Sequence, residues 1–167
     1  MSASVDALLG RLANAERRLA DHAGGPVPAG LTEPDIGGEE RWEAGQVWAH
    51  LAEFPAYWLG QIRVVIDASS ADAVPFGRVK TDPERIAAIE RDRHTDPPAL
   101  LERVRTSLAE LSDAARNWEA EAWRARGAHP TRGEMTVERI LEEFIVSHLE
   151  EHADQLDGLA GDGTPAT

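Results

Sequence analysis

Four stretches of this chain repeat their apolar residues at three- and four-residue steps, and nothing in it alternates as a strand does. The first stretch is Val5, Leu8, Leu9, Leu12 and Leu19. The second is Val47, Leu51, Phe54, Trp58, Ile62 and Val65, and the third is Leu101, Val104, Leu108, Leu111, Ala115, Trp118 and Ala122. The last is Val137, Ile140, Leu141, Phe144, Ile145, Leu156 and Leu159. Each is the apolar stripe of an amphipathic helix. Four such stripes bury one another in a single helical bundle. The chain's 167 residues suit one domain with a proper core.

The boundaries follow from local chemistry. The first helix is expected from Ser4, as N-cap, to His22, stopped by Gly24, Gly25 and Pro26. Residues 24–41 read as a connection anchored by Leu31 and Ile36. The second helix is expected over Trp42–Ala68, carried through Pro55 by the strength of the pattern on both sides, with a kink there. Residues 69–80 read as loop. Asp82 and Pro83 open a short extra helix to about Arg91, with Ile86 and Ile89 facing in. Asp96, Pro97 and Pro98 open the third long helix, expected to end near Arg126 and Gly127. Residues 129–136 read as a turn that delivers Thr136 as N-cap of the last helix. The connection of about thirty residues between the second and third long helices is long enough for a crossover. The expectation is an all-α four-helix bundle over residues 1–160, with a crossover connection and one short helix. Residues 161–167 form a flexible tail.

The last stripe carries two residues that a core does not ask for. His148 and His152 continue the apolar face, while Glu142, Glu143, Glu150, Glu151, Asp154 and Asp157 occupy the opposite one. Histidines four apart project from one helix face and can share a metal ion. They can equally be core histidines bonded to carboxylates, and the helix alone leaves both readings open. His50, three residues after Val47, can face the same interior. His22 reads as a helix-end cation, His94 as solvated, and His129 as a surface residue near the end of the third helix.

Composition narrows the partners. A formal net charge of −13 repels nucleic acid, and Arg17, Arg18, Arg91 and Arg93 are too sparse to form a basic patch. There is no cysteine, so the chain offers no disulfide, thiolate ligand or thiol nucleophile. No signal peptide or membrane-length apolar run is visible, which makes the cytoplasm the default location.

Two stretches carry a family resemblance. Trp42-Glu-Ala-Gly-Gln-Val-Trp-Ala-His50-Leu lies on the second helix. Gly133-Glu-Met-Thr136 leads into Phe144-Ile-Val-Ser-His148-Leu-Glu-Glu-His152-Ala-Asp-Gln155 on the last. In order and spacing they resemble the DinB/YfiT-like superfamily of metal-dependent enzymes, over nearly the whole chain. Glu43 departs from the pattern, since relatives often carry a Ser or Thr cap after the tryptophan. The resemblance implies a bundle of unusual topology, often dimeric, with a divalent metal held by His50, His148 and His152. Zinc or nickel is the expected ion, with iron as an alternative. Glu53 and Gln155 are the candidate residues supporting those ligands. The implied activity is transfer dependent on a low-molecular-weight thiol such as mycothiol or bacillithiol, or hydrolysis, on a small-molecule substrate. The alternatives are a non-catalytic, stress-associated binding protein with a structural metal, and a metal-free protein with a polar histidine network. No residue of the chain is assigned as catalytic at this stage.

Overall fold

The computed structural model describes residues 3–34, 39–68 and 72–162. Seven α-helical segments and three short strands follow in the order α1 (Ala3–Ala23), α2 (Ala44–Asp67), β1 (Val74–Pro75), α3 (Pro83–Asp92), α4 (Pro97–Asn117), α5 (Ala120–Arg124), β2 (Arg126–His129), β3 (Gly133–Thr136), α6 (Val137–Leu141) and α7 (Ser147–Asp162). A π-helical turn, Glu142–Val146, joins α6 to α7, so the three run on as one long helix.

All four predicted stripes face one core, with Leu12, Leu19, Val47, Leu51, Phe54, Ile62, Val104, Leu111, Ile140 and Ile145 almost wholly buried. α1 packs against α4 and the last helix, and α2 packs against the same two. α1 and α2, adjacent in sequence, are not a principal pair, so the chain crosses the bundle between them; the crossover falls there and not in the connection between the second and third long helices, since α2 and α4 pack directly. That arrangement lays α2 directly against α7, the two elements that carry the candidate histidines.

The helix starts obey their local signals. Asp82 accepts from the Arg85 N–H, and Thr136 accepts from the Arg139 N–H. At the start of α2, where Glu43 replaces the usual cap, the Gln46 side chain accepts from the Glu43 N–H at 3.1 Å. α2 continues through Pro55, which is buried.

Several expectations are corrected. Ser4 lies inside the first turn of α1 and bonds Glu138 of α6 instead of capping its own helix. Leu31 is half exposed and anchors nothing, and Ile86 is likewise exposed, leaving Ile89 to face the core. Ile36 lies outside the described residues. The third long helix stops at Asn117, because Trp118 turns extended; Trp118 and Trp123 then pack edge to face at 5.1 Å. α7 takes in Gly161 and Asp162, and the rest of the expected tail is outside the described residues.

The largest correction is a three-stranded sheet where no strand was expected. β1 pairs in parallel with β2 (Val74 with Gly127, Pro75 with Ala128), and β2 pairs antiparallel with β3, from Arg126 with Thr136 to His129 with Gly133. Gly133 closes the three-residue hairpin loop at φ 74°, a conformation open to glycine. A side chain at Gly127 would meet Phe76 and Val65, so the sheet lies flush on the bundle only because that residue is glycine.

The entry of α2 is equally tight. A Cβ on Gly45 would run into the Arg93 carbonyl at the end of α3, whereas a Cβ on Gly60 meets nothing within 4 Å. Thermal melting should show Gly45→Ala destabilised by about 1–3 kcal/mol through overpacking. Gly60→Ala, also within α2, should be stabilised by about 0.5–1 kcal/mol.

Candidate metal centre

His50 sits in the second turn of α2, and His148 and His152 in the first two turns of α7. The π turn just before them adds a residue to the helical repeat. It lets Ile145 and Val146 both be buried while Glu143 and Phe144 turn toward a cavity. Such turns recur at functional sites because they re-aim the side chains that follow.

The three imidazoles converge through their Nε2 atoms. His50 Nε2 is 3.0 Å from His148 Nε2, and His152 Nε2 is 3.1 Å from the same atom. One ligand atom from each residue lies within 4.8 Å of the others, and these three histidines make up the group. Two nitrogens each about 2.0–2.1 Å from a shared ion lie about 3.0–3.4 Å apart, so this spacing suits a single metal ion.

Hydrogen bonding on the far side of the rings fixes what the Nε2 atoms present. His152 Nδ1 donates to Gln155 Oε1 at 2.7 Å, and His148 Nδ1 faces Glu151 Oε2 at 3.3 Å. An amide oxygen and a carboxylate oxygen both accept only, so in both rings the proton belongs on Nδ1 and the lone pair on Nε2. Two lone pairs are thus set 3.1 Å apart with no proton between them. A cation between them turns that repulsion into coordination.

Burial disfavours the charged form of two of these rings. His50 and His152 are 3% and 4% exposed, and burial pushes both well below the usual imidazole range. The neighbouring imidazoles and Arg85 push in the same direction, while the Gln155 bond opposes it at His152. Neutral imidazole is the ligating form. Trp42 stacks on His152 at 5.9 Å and 7°, and meets His50 edge-on at 5.3 Å; Phe54 meets His148 edge-on at 4.8 Å. This aromatic shell holds the rings and keeps water from their backs.

His148 is the imidazole that opens outward, with its side chain 32% exposed. It faces a cavity of about 880 Å³ walled by Trp42, Trp58 and Phe144. Two buried guanidinium groups, Arg78 and Arg85, line the same space. Of the carboxylates along its wall, Glu33 and Glu151 lie toward solvent, their side chains 90% and 70% exposed, while Glu143, 31% exposed, pairs with Arg139.

The sequence expectation for His50, His148 and His152 places together the residues that the structure brings together. Glu53 and Gln155 also lie behind the rings, Glu53 Oε2 at 3.5 Å from His50 Nδ1. His129 is corrected. It is buried, lines the cavity and stands among Trp58, Phe76 and Phe144. Its Nε2 donates to the Arg78 carbonyl at 3.2 Å, and its Nδ1 faces Thr131 at 3.3 Å, so both nitrogens are occupied away from the cluster. Burial pushes it below the usual range. Glu151, Arg78 and Arg85 were missed. Glu151 is legible in retrospect, since each of the three histidines has a polar residue three positions on: Glu53, Glu151 and Gln155. The two arginines carry no sequence signal, because α3 and the loop before it read as surface.

Fold and site together define a four-helix bundle with a three-imidazole centre opening onto a cavity. The model of the DinB superfamily matches residues 5–156, and the chain belongs to that superfamily. Among solved structures, the chain is similar to YfiT from Bacillus subtilis, described as "a probable metal-dependent hydrolase with an unusual four-helix bundle topology". The likeness has a TM-score of 0.74 at 17% identity over 97% of this chain and 89% of that one. It is also similar to a mycothiol-dependent maleylpyruvate isomerase, at a TM-score of 0.70 and 14% identity. A histidine-to-alanine variant of a mycothiol-dependent maleylpyruvate isomerase gives a TM-score of 0.67 and 17% identity. In both isomerase comparisons all of this chain is covered, but it spans only 65% of the isomerase chain. No curated protein matches the sequence. At these identities the structural likeness speaks to fold. Among the described residues, no helix is long and apolar enough to cross a membrane.

The support behind His152 is open to test. Gln155→Ala removes the acceptor for its Nδ1–H and should weaken zinc binding about 10- to 100-fold in competition with a chromophoric chelator. Glu151→Gln alters a longer, exposed contact and should weaken it less.

Proposed function

We propose that this protein is a divalent-metal-dependent enzyme, with His50, His148 and His152 as ligands, that catalyses a low-molecular-weight-thiol-dependent transfer on a small molecule. Zinc or nickel is the ion that the three neutral imidazoles suit best, with iron as the alternative. The single observation that carries the reading is the cavity of about 880 Å³ that reaches the cluster on its His148 side. A purely structural ion is better served by a closed shell with a fourth protein ligand, and the group here holds three.

A dipositive ion, when bound, supplies Lewis acidity that favours the deprotonated form of a thiol or of water. The chain's own residues supply the rest. Gln155 and Glu151 hold their rings with lone pairs toward the cavity. Trp42 and Phe54 close the backs of the rings. Arg85, and Arg78 with its Glu53 partner, place guanidinium groups on the cavity wall, where Arg85 favours a thiolate or another anionic group over its neutral form. Trp58 and Phe144, stacked at 4.2 Å, offer an apolar wall for the body of the substrate. With no cysteine in the chain, the thiol must arrive as a cosubstrate. The likeness to the mycothiol-dependent isomerases supports this reading, and the likeness to YfiT supports hydrolysis as the second.

The test is turnover by tag-free protein loaded with zinc, nickel or iron. Mycothiol or bacillithiol is offered with an activated aryl halide, and nitrophenyl esters are offered separately. The expected result is metal-dependent consumption of thiol, lost with EDTA and in His148→Ala. Ester hydrolysis without any thiol reaction would shift the assignment to a hydrolase. Stoichiometric metal with neither reaction, together with unfolding on chelation, would favour a structural ion.

A further inference from the structure

Two of the three imidazoles have a hydrogen-bonding partner behind them; the third does not. His50 Nδ1 is a buried polar atom without a hydrogen bond, and the Glu53 carboxylate stands 3.5 Å away, just beyond bonding distance. A buried, unsatisfied ring nitrogen is costly, and here a shift of a few tenths of an ångström would satisfy it. What sets the position of Glu53 is Arg78. Its Nη2 donates to Glu53 Oε2 at 2.6 Å, the same oxygen that faces His50.

Arg78 is itself held at every point. Its guanidinium lies over the Tyr57 ring, Cζ 3.8 Å from the centroid, and its Nη1 is 3.9 Å from Asp82 Oδ1. Its carbonyl accepts from His129 Nε2, and the N–H of the preceding Gly77 donates to Gln61 Oε1 at 2.7 Å. The side chains of Arg78 and Glu53 are 9% and 13% exposed. A guanidinium pinned at both backbone and side chain in this way fixes the carboxylate it holds.

We propose that Arg78 is a positioning residue for the metal centre: it fixes the Glu53 carboxylate beside His50 Nδ1, where a small shift lets it accept that N–H and leave the Nε2 lone pair facing His148 and His152, and so sets the site's affinity for a divalent ion. A ligand ring whose Nδ1–H has a fixed carboxylate acceptor is both oriented and a better electron donor. The π-stacked, forked geometry of Arg78 suits this task better than an ammonium group would. The loop after β1, which reads as an ordinary connection in sequence, thereby becomes part of the site. This inference rests on the metal-binding reading above.

The experiment is competitive zinc titration against a chromophoric chelator, on the full tag-free chain. It compares the wild type with Arg78→Met, Arg78→Lys, Glu53→Gln and the Glu53→Gln/Arg78→Met double variant. Circular dichroism and melting curves accompany each protein. The expected result is a loss of affinity of about 10- to 100-fold in Arg78→Met and in Glu53→Gln. Arg78→Lys should recover part of it. The double variant should bind no more weakly than the weaker single variant, since Arg78 acts through Glu53. Should Arg78→Met fail to fold with Glu53 left buried and unpaired, the double variant, which carries neither charge, is compared with Glu53→Gln alone. Wild-type affinity in Arg78→Met, or losses that multiply in the double variant, would overturn the proposal while leaving the metal centre standing. No zinc uptake by the wild type would overturn both.

Discussion

Three imidazole nitrogens converge inside a helical bundle, with His148 Nε2 3.0 Å from His50 Nε2 and 3.1 Å from His152 Nε2. Burial disfavours the charged forms of His50 and His152, and the groups behind His148 and His152 accept from Nδ1, so that the Nε2 lone pairs of those two rings face each other. A bundle that needed only stability would fill these positions with Leu or Ile, as it does at Leu51, Ile145 and Leu156. The juxtaposition makes sense when a cation stands between the nitrogens, and the aromatic shell and cavity follow from that requirement.

The fold serves this centre in three ways. Crossing the bundle between the first two helices sets α2 against α7, so that residues 98 and 102 positions apart meet. The π turn re-aims the last helix just before its ligands. The small sheet, braced by Gly127 against Phe76 and Val65, carries the loop with Arg78 to the cavity. His129, at the end of β2, ties that loop to the sheet through the Arg78 carbonyl. The groups nearest the rings, Glu53, Glu151 and Gln155, stand on the bundle helices themselves, while Arg78 and His129 come from outside the bundle.

What was legible in the sequence was periodic. The four stripes, the caps at Asp82 and Thr136, and the three histidines all rest on spacing along a helix, which the chain displays directly. What was not legible depends on tertiary contacts. β2 and β3 are four residues each, with Gly, His, Glu and Arg among them, and gain their pairing from the surface of the bundle they lie on. Trp118 ends α4 without any Gly or Pro to announce it, because its ring packs on Trp123. His129 and Arg78 sit in polar, proline- and glycine-bearing stretches that read as solvent-facing, yet both are buried. Glu53 was picked out by its spacing from His50; what holds it in place was not.

The central claim is that the imidazoles of His50, His148 and His152 hold one divalent ion in a site open to small molecules. X-ray absorption spectroscopy on tag-free protein, with metal content measured on the same sample, tests it most directly. The expected result is about one ion per chain with three imidazole nitrogens at about 2.0–2.1 Å and further light-atom scattering from exchangeable ligands. A chain that takes up no zinc, nickel or iron under any loading condition, or an ion whose nearest shell contains no imidazole, would contradict it.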